Sequence, residues 1–137
     1  MATDIFPDYS GCRIMAVDDV MVNIYLLTKI LEKTHATIIP ALGGQEAIEK
    51  TVTEKPDIIL LDLRMPVIDG YEVIDRLKSS PDTAAIPIIV ISAYTNQDDV
   101  DKTKAAGAAD FIQKPVIMQH LLESITTQLI KINKIKG

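Results

Sequence analysis

Asp18 and Asp19 stand side by side, and Asp62, Ser92 and Lys114 follow at long intervals; each closes a short run of apolar or β-branched residues. Three carboxylates brought within a few ångströms repel one another unless a cation neutralises them. Oxygen ligands with no His or Cys beside them suit Mg²⁺, held through one or two carboxylates, waters and a phosphate. Mg²⁺ with an unencumbered Asp, a hydroxyl and a lysine makes a phosphoryl-transfer site, which works by positioning and charge neutralisation. In such a site Asp62 is the nucleophile and forms an acyl phosphate. Asp19 binds the metal directly, and Asp18 binds or orients it through water. Lys114 pairs with one phosphoryl oxygen and the Ser92 hydroxyl donates to another. Taken alone, Asp62 reads equally well as a turn former; its companions decide.

The elements that must hold these side chains are written in the apolar periodicity. Ile58 to Leu61 is an apolar run bounded by Pro56 and Pro66, too short for a buried helix and expected as a strand covered on both faces. It ends on Asp62, and in open α/β sheets ligand chemistry gathers at the carboxyl ends of strands. Residues 13–17 predict a first strand ended by Asp18-Asp19, and 37–42 a second closed by Gly43-Gly44. Residues 86–91 predict a fourth ending at Ser92-Ala93, with Pro87 tolerated only at its start, and 110–113 a fifth stopped by Lys114-Pro115.

Helical spacing fills the intervals. Ile24, Leu27, Ile30 and Leu31 predict a helix from 21 to about 33, and Ala47, Ile48 and Val52 a second. Val73, Ile74 and Leu77 follow an Asp69 cap. A thinly apolar fourth helix, capped by Thr95 or Asn96, has little beyond Val100, Ala105 and Ala106 to bury before Gly107 ends it. Met118, Leu121, Leu122, Ile125 and Leu129 make the last helix the most amphipathic. The alternation predicts an α/β fold: a doubly wound five-stranded parallel sheet, flavodoxin-like order 2-1-3-4-5, helices on both faces. That order gathers the chemically capable residues on one rim.

Residues 1–12 read as a loosely held N-terminal extension, 13–132 as the domain, and 133–137 as a C-terminal tail. The alternation of Ile130, Ile132 and Ile135 with lysines reads as a solvated end, with a dimer or partner contact as the alternative. A net charge of −5 argues against nucleic acid and anionic membrane surfaces, so phosphate chemistry here needs a local cation. The single cysteine, Cys12, fits a reducing compartment and a packing role. With no membrane-length apolar stretch and no signal peptide, a cytoplasmic protein without membrane insertion is expected.

The Asp18-Asp19 pair, Asp62 within Leu-Asp-Leu-Arg-Met-Pro-Val-Ile-Asp-Gly, Ser92-Ala93 and Lys114-Pro115 together resemble the receiver domain of two-component response regulators, such as the single-domain chemotaxis regulators, over residues 13–132. The resemblance implies a phosphorylation-activated signalling module rather than a turnover enzyme. Asp62 would take a phosphoryl group, with Mg²⁺, from a phosphohistidine on a histidine kinase or histidine phosphotransfer protein. The surface of helix 4, strand 5 and helix 5 would then change to bind an output protein that the sequence does not name.

The resemblance further implies a cis Lys114–Pro115 peptide and the backbone carbonyl of Arg64 as a metal ligand beside Asp18, Asp19 and Asp62. It implies that Ser92 moves toward the phosphoryl group and that an aromatic on strand five, by position Phe111, fills the vacated space. Phe111 also reads as a plain core aromatic. Arg64, two residues past the nucleophile, and Tyr94, two past the hydroxyl, occupy the positions that set the lifetime of the phosphorylated state. Neither a guanidinium nor a phenol is a general base at neutral pH, which predicts slow self-dephosphorylation.

Other readings fit less well. A phosphohydrolase of the haloacid-dehalogenase kind needs an acid two residues past its nucleophile, where Arg64 stands. A flavodoxin-like cofactor binder needs a Gly-, Ser- or Thr-rich first turn for phosphate, and Asp18-Asp19 would repel it. A receiver-like module that binds partners without phosphorylation would not need the complete set. His35 and His120 share no ligand spacing; Asn23 completes an Asp-Asp-x-x-x-Asn pattern common in receivers yet reads equally as a helix cap, and Gly43-Gly44 reads as a turn.

Overall fold

The computed structural model describes residues 6–93 and 96–136. Strands β1 (Arg13–Val17), β2 (Thr37–Ala41), β3 (Ile58–Asp62), β4 (Ile88–Ser92) and β5 (Asp110–Gln113) form one parallel sheet in the order β2-β1-β3-β4-β5. Helices α1 (Met21–Leu31), α2 (Gly44–Glu54), α3 (Gly70–Lys78), α4 (Gln97–Ala106) and α5 (Met118–Lys131) alternate with them, and a 3₁₀ turn (Glu32–Thr34) extends α1.

Every residue of β3 and β4 is buried. Helices on both faces leave these central strands no solvent side, so their sequences run apolar without alternation. On one face Ile14, Leu60 and Ile91 pack with Leu31 of α1 and Ile125 of α5. On the other, Met15, Leu61 and Val90 pack with Ala47 of α2 and Ile74 of α3. Burial on two faces is the main driving force for this three-layer arrangement.

β4 begins at Ile88 rather than at residue 86. Pro87 has no N–H to give a neighbouring strand, although its carbonyl still accepts from Ile59 N at 3.0 Å. Two glycines press the loop after β3 into place. A Cβ on Gly44 would lie 2.7 Å from the Ile68 carbonyl, and one on Gly70 would lie 2.8 Å from Leu63 Cα. The Asp69 side chain caps α3 through Glu72 N at 3.0 Å, and Asn96 caps α4 through Asp99 N at 2.8 Å.

Two helices bury polar residues in place of the apolar ones expected to face inward. Val52 is 59 % exposed, and α2 buries Thr51 instead, whose hydroxyl donates to the Ala47 carbonyl at 2.6 Å. On α4 the buried residues are Asp99 and Thr103; Ala105 is exposed, and Val100 and Ala106 are half-buried. Described residues before β1 and after α5 also pack on the core. Tyr9 is fully buried, its hydroxyl donating to the Leu122 carbonyl at 3.0 Å and lying 2.7 Å from Thr126 Oγ1. Cys12 is buried beside it, in the packing role expected of it. Past α5, Ile132 and Ile135 pack on the same core, and Lys134 Nζ lies 3.1 Å from Asp57.

Candidate functional site

Parallel register sets the site. Val17 of β1 pairs with Leu61 of β3, so the next residues, Asp18 and Asp62, leave the sheet side by side. Asp62 pairs with Ile91, and Ser92 with Gln113, which puts the ends of β4 and β5 on the same rim. Oxygen atoms of Asp18, Asp19 and Asp62 lie within 4.8 Å of one another. Lys114 Nζ reaches into this group, 3.4 Å from Asp18 Oδ2 and 3.6 Å from Asp62 Oδ1. The Lys114–Pro115 peptide is cis, and Lys114 N donates to the Ser92 carbonyl at 2.9 Å.

The three acids differ in surroundings. Asp18 is 3 % exposed; its Oδ1 accepts from Val20 N at 2.9 Å and its Oδ2 from Asn23 Nδ2 at 3.0 Å. Asn23 therefore braces Asp18, while the N-cap position of α1 is Val20. Asp19 is exposed. Asp62 is nearly buried, and that burial pushes its carboxyl above the usual carboxylate range. The Lys114 ammonium pulls it back, and Asp18 and Asp19 push it further up.

Three carboxylates face one ammonium, a donor set of oxygens alone, and among the described residues they form the one such group able to close on an ion. That chemistry fits a hard divalent cation such as Mg²⁺. Bringing one here would relieve the mutual repulsion of the acids and favour ionised Asp62.

Ser92 is fully buried at the end of β4. Phe111 is half-buried on β5, opposite Val90, and packs against the core shared with α2 and α3. Tyr94 lies outside the described residues. Arg64 turns toward α4: its guanidinium donates to Asp99 Oδ2 at 2.9 Å, while the Tyr71 hydroxyl donates to Asp99 Oδ1 at 2.6 Å. Burial, followed by this bond, pushes the Tyr71 phenol up to about 12, so it remains a donor. The Asp99 carboxyl is held below its usual range, first by the Tyr71 hydroxyl and then by Arg64. Sequence spacing does not reveal this link, because Tyr71 and Asp99 belong to different helices and meet only in the fold. His35, with φ 67° just past the 3₁₀ turn, precedes β2 and so lies at the opposite end of the strands from the acids, whereas His120, in the first turn of α5, lines a cavity with Lys114 and Pro115.

The family model of the response regulator receiver domain matches residues 14–126. Protein PilH of Pseudomonas aeruginosa is 34 % identical over 117 residues, covering 85 % of this chain and 97 % of PilH. Response regulator PleD of Caulobacter vibrioides is 38 % identical over 106 residues, 77 % of this chain but 23 % of PleD. Among solved structures, the signal receiver domain of a signal transduction histidine kinase from Syntrophus aciditrophicus superposes with a TM-score of 0.83 at 30 % identity, covering 93 % of this chain and 96 % of that one. No helix among the described residues is long and apolar enough to cross a membrane. With the family's motif residues standing on adjoining strand ends of the family's sheet, this chain belongs to the receiver domains of two-component response regulators.

Proposed function

We propose that Asp62 is the phosphoacceptor of this receiver, taking its phosphoryl group from a phosphohistidine on a histidine kinase or histidine phosphotransfer protein. The observation that carries the reading is a nearly buried carboxylate at the end of the central strand, with Lys114 Nζ at 3.6 Å and two further acids within 4.8 Å. An Asp62 oxygen attacks phosphorus, a P–O bond forms, the P–N bond breaks, and the imidazole nitrogen leaves with the electron pair. Mg²⁺, when bound, neutralises charge on the transferred oxygens.

Asp19, Asp18, Asp62 and the backbone carbonyl of Arg64 are the residues assigned to hold it. Asp18, committed to Val20 and Asn23, orients; exposed Asp19 ligates directly. Lys114 transfers its ammonium from Asp18 and Asp62 to a phosphoryl oxygen, and the Ser92 hydroxyl donates to another. Phe111 follows Ser92 inward, which carries the change to the face made by α4, β5 and α5, where an output protein binds. The chain acts as a regulator that turns over only its own phosphoryl group.

Donor docking is supported by exposed apolar side chains beside the rim. Val20, Met21 and Val22 at the start of α1, and Ile117 and Met118 at the start of α5, are each at least 44 % exposed. Such a skirt would exclude water around an incoming imidazole. Intact-protein mass spectrometry after incubation with acetyl phosphate tests the acceptor. One phosphate is expected with Mg²⁺ and none after chelation or in Asp62→Asn. Undiminished labelling of Asp62→Asn would overturn the assignment.

A further inference from the structure

Helix α4 is docked by charge. Its buried residues are Asp99 and Thr103, and neither is apolar. Asp99 is 6 % exposed on the first turn, while its neighbour Asp98 faces solvent. Its two oxygens accept from residues on two other segments: Tyr71 of α3, and Arg64 two residues past Asp62. The Arg64 side chain is 52 % exposed, so water and other anions can compete for it although Asp99 is buried.

We propose that Asp99 and Tyr71 are positioning residues for Arg64: they hold its guanidinium on α4 while Asp62 is unmodified, and yield it to a phosphoryl group on Asp62, which loosens the first turn of α4. The inference rests on Asp62 being the phosphoacceptor. A guanidinium is a planar fork matched to phosphoryl oxygens, and it binds them bidentately. Asp99, oriented by the Tyr71 hydroxyl, offers a single charge, whereas a phosphoryl group carries nearly two. Once Arg64 leaves, Asp99 is a nearly buried carboxylate with one donor fewer, and the helix must re-seat it or expose it. The coupling is reciprocal: a partner that pulls Asp99 outward would release Arg64 and alter the lifetime of the phosphoryl group.

Decay of radiolabelled phosphoprotein at constant Mg²⁺ tests this in the wild type, Asp99→Asn, Arg64→Ala and the double variant. Asn at 99 keeps an acceptor for Tyr71 but removes the charge that retains Arg64. Asp99→Asn is expected to slow decay by about threefold as Arg64 shields the phosphoryl, and to change nothing when Arg64 is absent. Tyr71→Phe, a milder change should Asp99→Asn fold poorly, is expected to shift decay in the same direction by less, again only with Arg64 present. Amide exchange at residues 97–100 should quicken on phosphorylation in the wild type and not in Arg64→Ala. Equal effects of Asp99→Asn in both backgrounds would overturn the exchange of Arg64 while leaving the phosphoacceptor standing. A wild type that takes no label would overturn both.

Discussion

Helices α4 and α5 both adjoin β5, and they are attached by different physics. α5 buries Leu121, Ile125 and Leu129 in the core it shares with α1. α4 buries an aspartate and a threonine. Apolar burial is non-directional and indifferent to a charge some distance away. An ion pair and a phenol bond are directional and answer to any new charge that competes for the same donors. The sheet thus carries one helix that is fastened and one that is poised, on either side of the strand that Lys114 follows. Segments that move in switching are drawn from the weakly packed end of a structure, and α4 is that end here.

The sharpest way to break the comparison is to cut each helix at an apolar residue. Ile125→Ala should lower unfolding free energy by about 2 to 5 kcal/mol in chemical denaturation, through lost transfer energy and a residual cavity. Val100→Ala, at a half-buried site, should stay within about 1 kcal/mol of the parent. Equal losses would mean that α4 is as firmly packed as α5.

Removing the cation between the two helices comes next. Lys114→Ala should still take label at Asp62, yet the shift of α4 backbone resonances on phosphorylation should weaken. An interaction made to the phosphoryl group alone favours only the phosphorylated state, and a charge-assisted bond of this kind contributes about 1.5 to 3 kcal/mol. A full α4 response in the variant would remove Lys114 from the switch.

A smaller effect comes from the site itself. Burial raises the Asp62 carboxyl above its usual range, so the folded state binds its proton more tightly than the unfolded chain does. The charged carboxylate therefore costs stability above its raised folded value, and this cost vanishes as pH falls below the ordinary carboxylate value. Without divalent cation, Asp62→Asn should be the more stable protein at neutral pH, and the gap should close toward pH 4. Thermal melts at both pH values measure it, and a gap that widens on acidification would contradict the burial argument.

The strands were legible because β3 and β4 are covered on both faces and so are written as unbroken apolar runs. Where those runs stop, Asp62 and Ser92 stand on the rim. Helices were legible where apolar residues face inward, as Leu121, Ile125 and Leu129 do. They were misread where a polar residue does so with its hydrogen bonds satisfied internally: Thr51 bonds back to Ala47, and Asp99 is met by Tyr71 and Arg64. Hydropathy scores such residues as outward. In the sequence an acid in the first turn of a helix is already accounted for by the helix dipole, so nothing local marks Asp99 as the partner of distant residues. Asn23 is ambiguous in the sequence, since a cap at a helix start and a brace on Asp18 require the same side chain at the same place, and only the fold decides for the brace.

The most direct measurement is chemical mapping of the acyl phosphate. Protein treated with acetyl phosphate and Mg²⁺, then reduced with borohydride, converts a phosphorylated aspartate to homoserine, which peptide sequencing locates. Homoserine at position 62 alone, absent when Mg²⁺ is chelated, is the expected result. Homoserine at position 18, 19 or 69, or its absence from 62 in protein that carries phosphate, would contradict the assignment on which the rest depends.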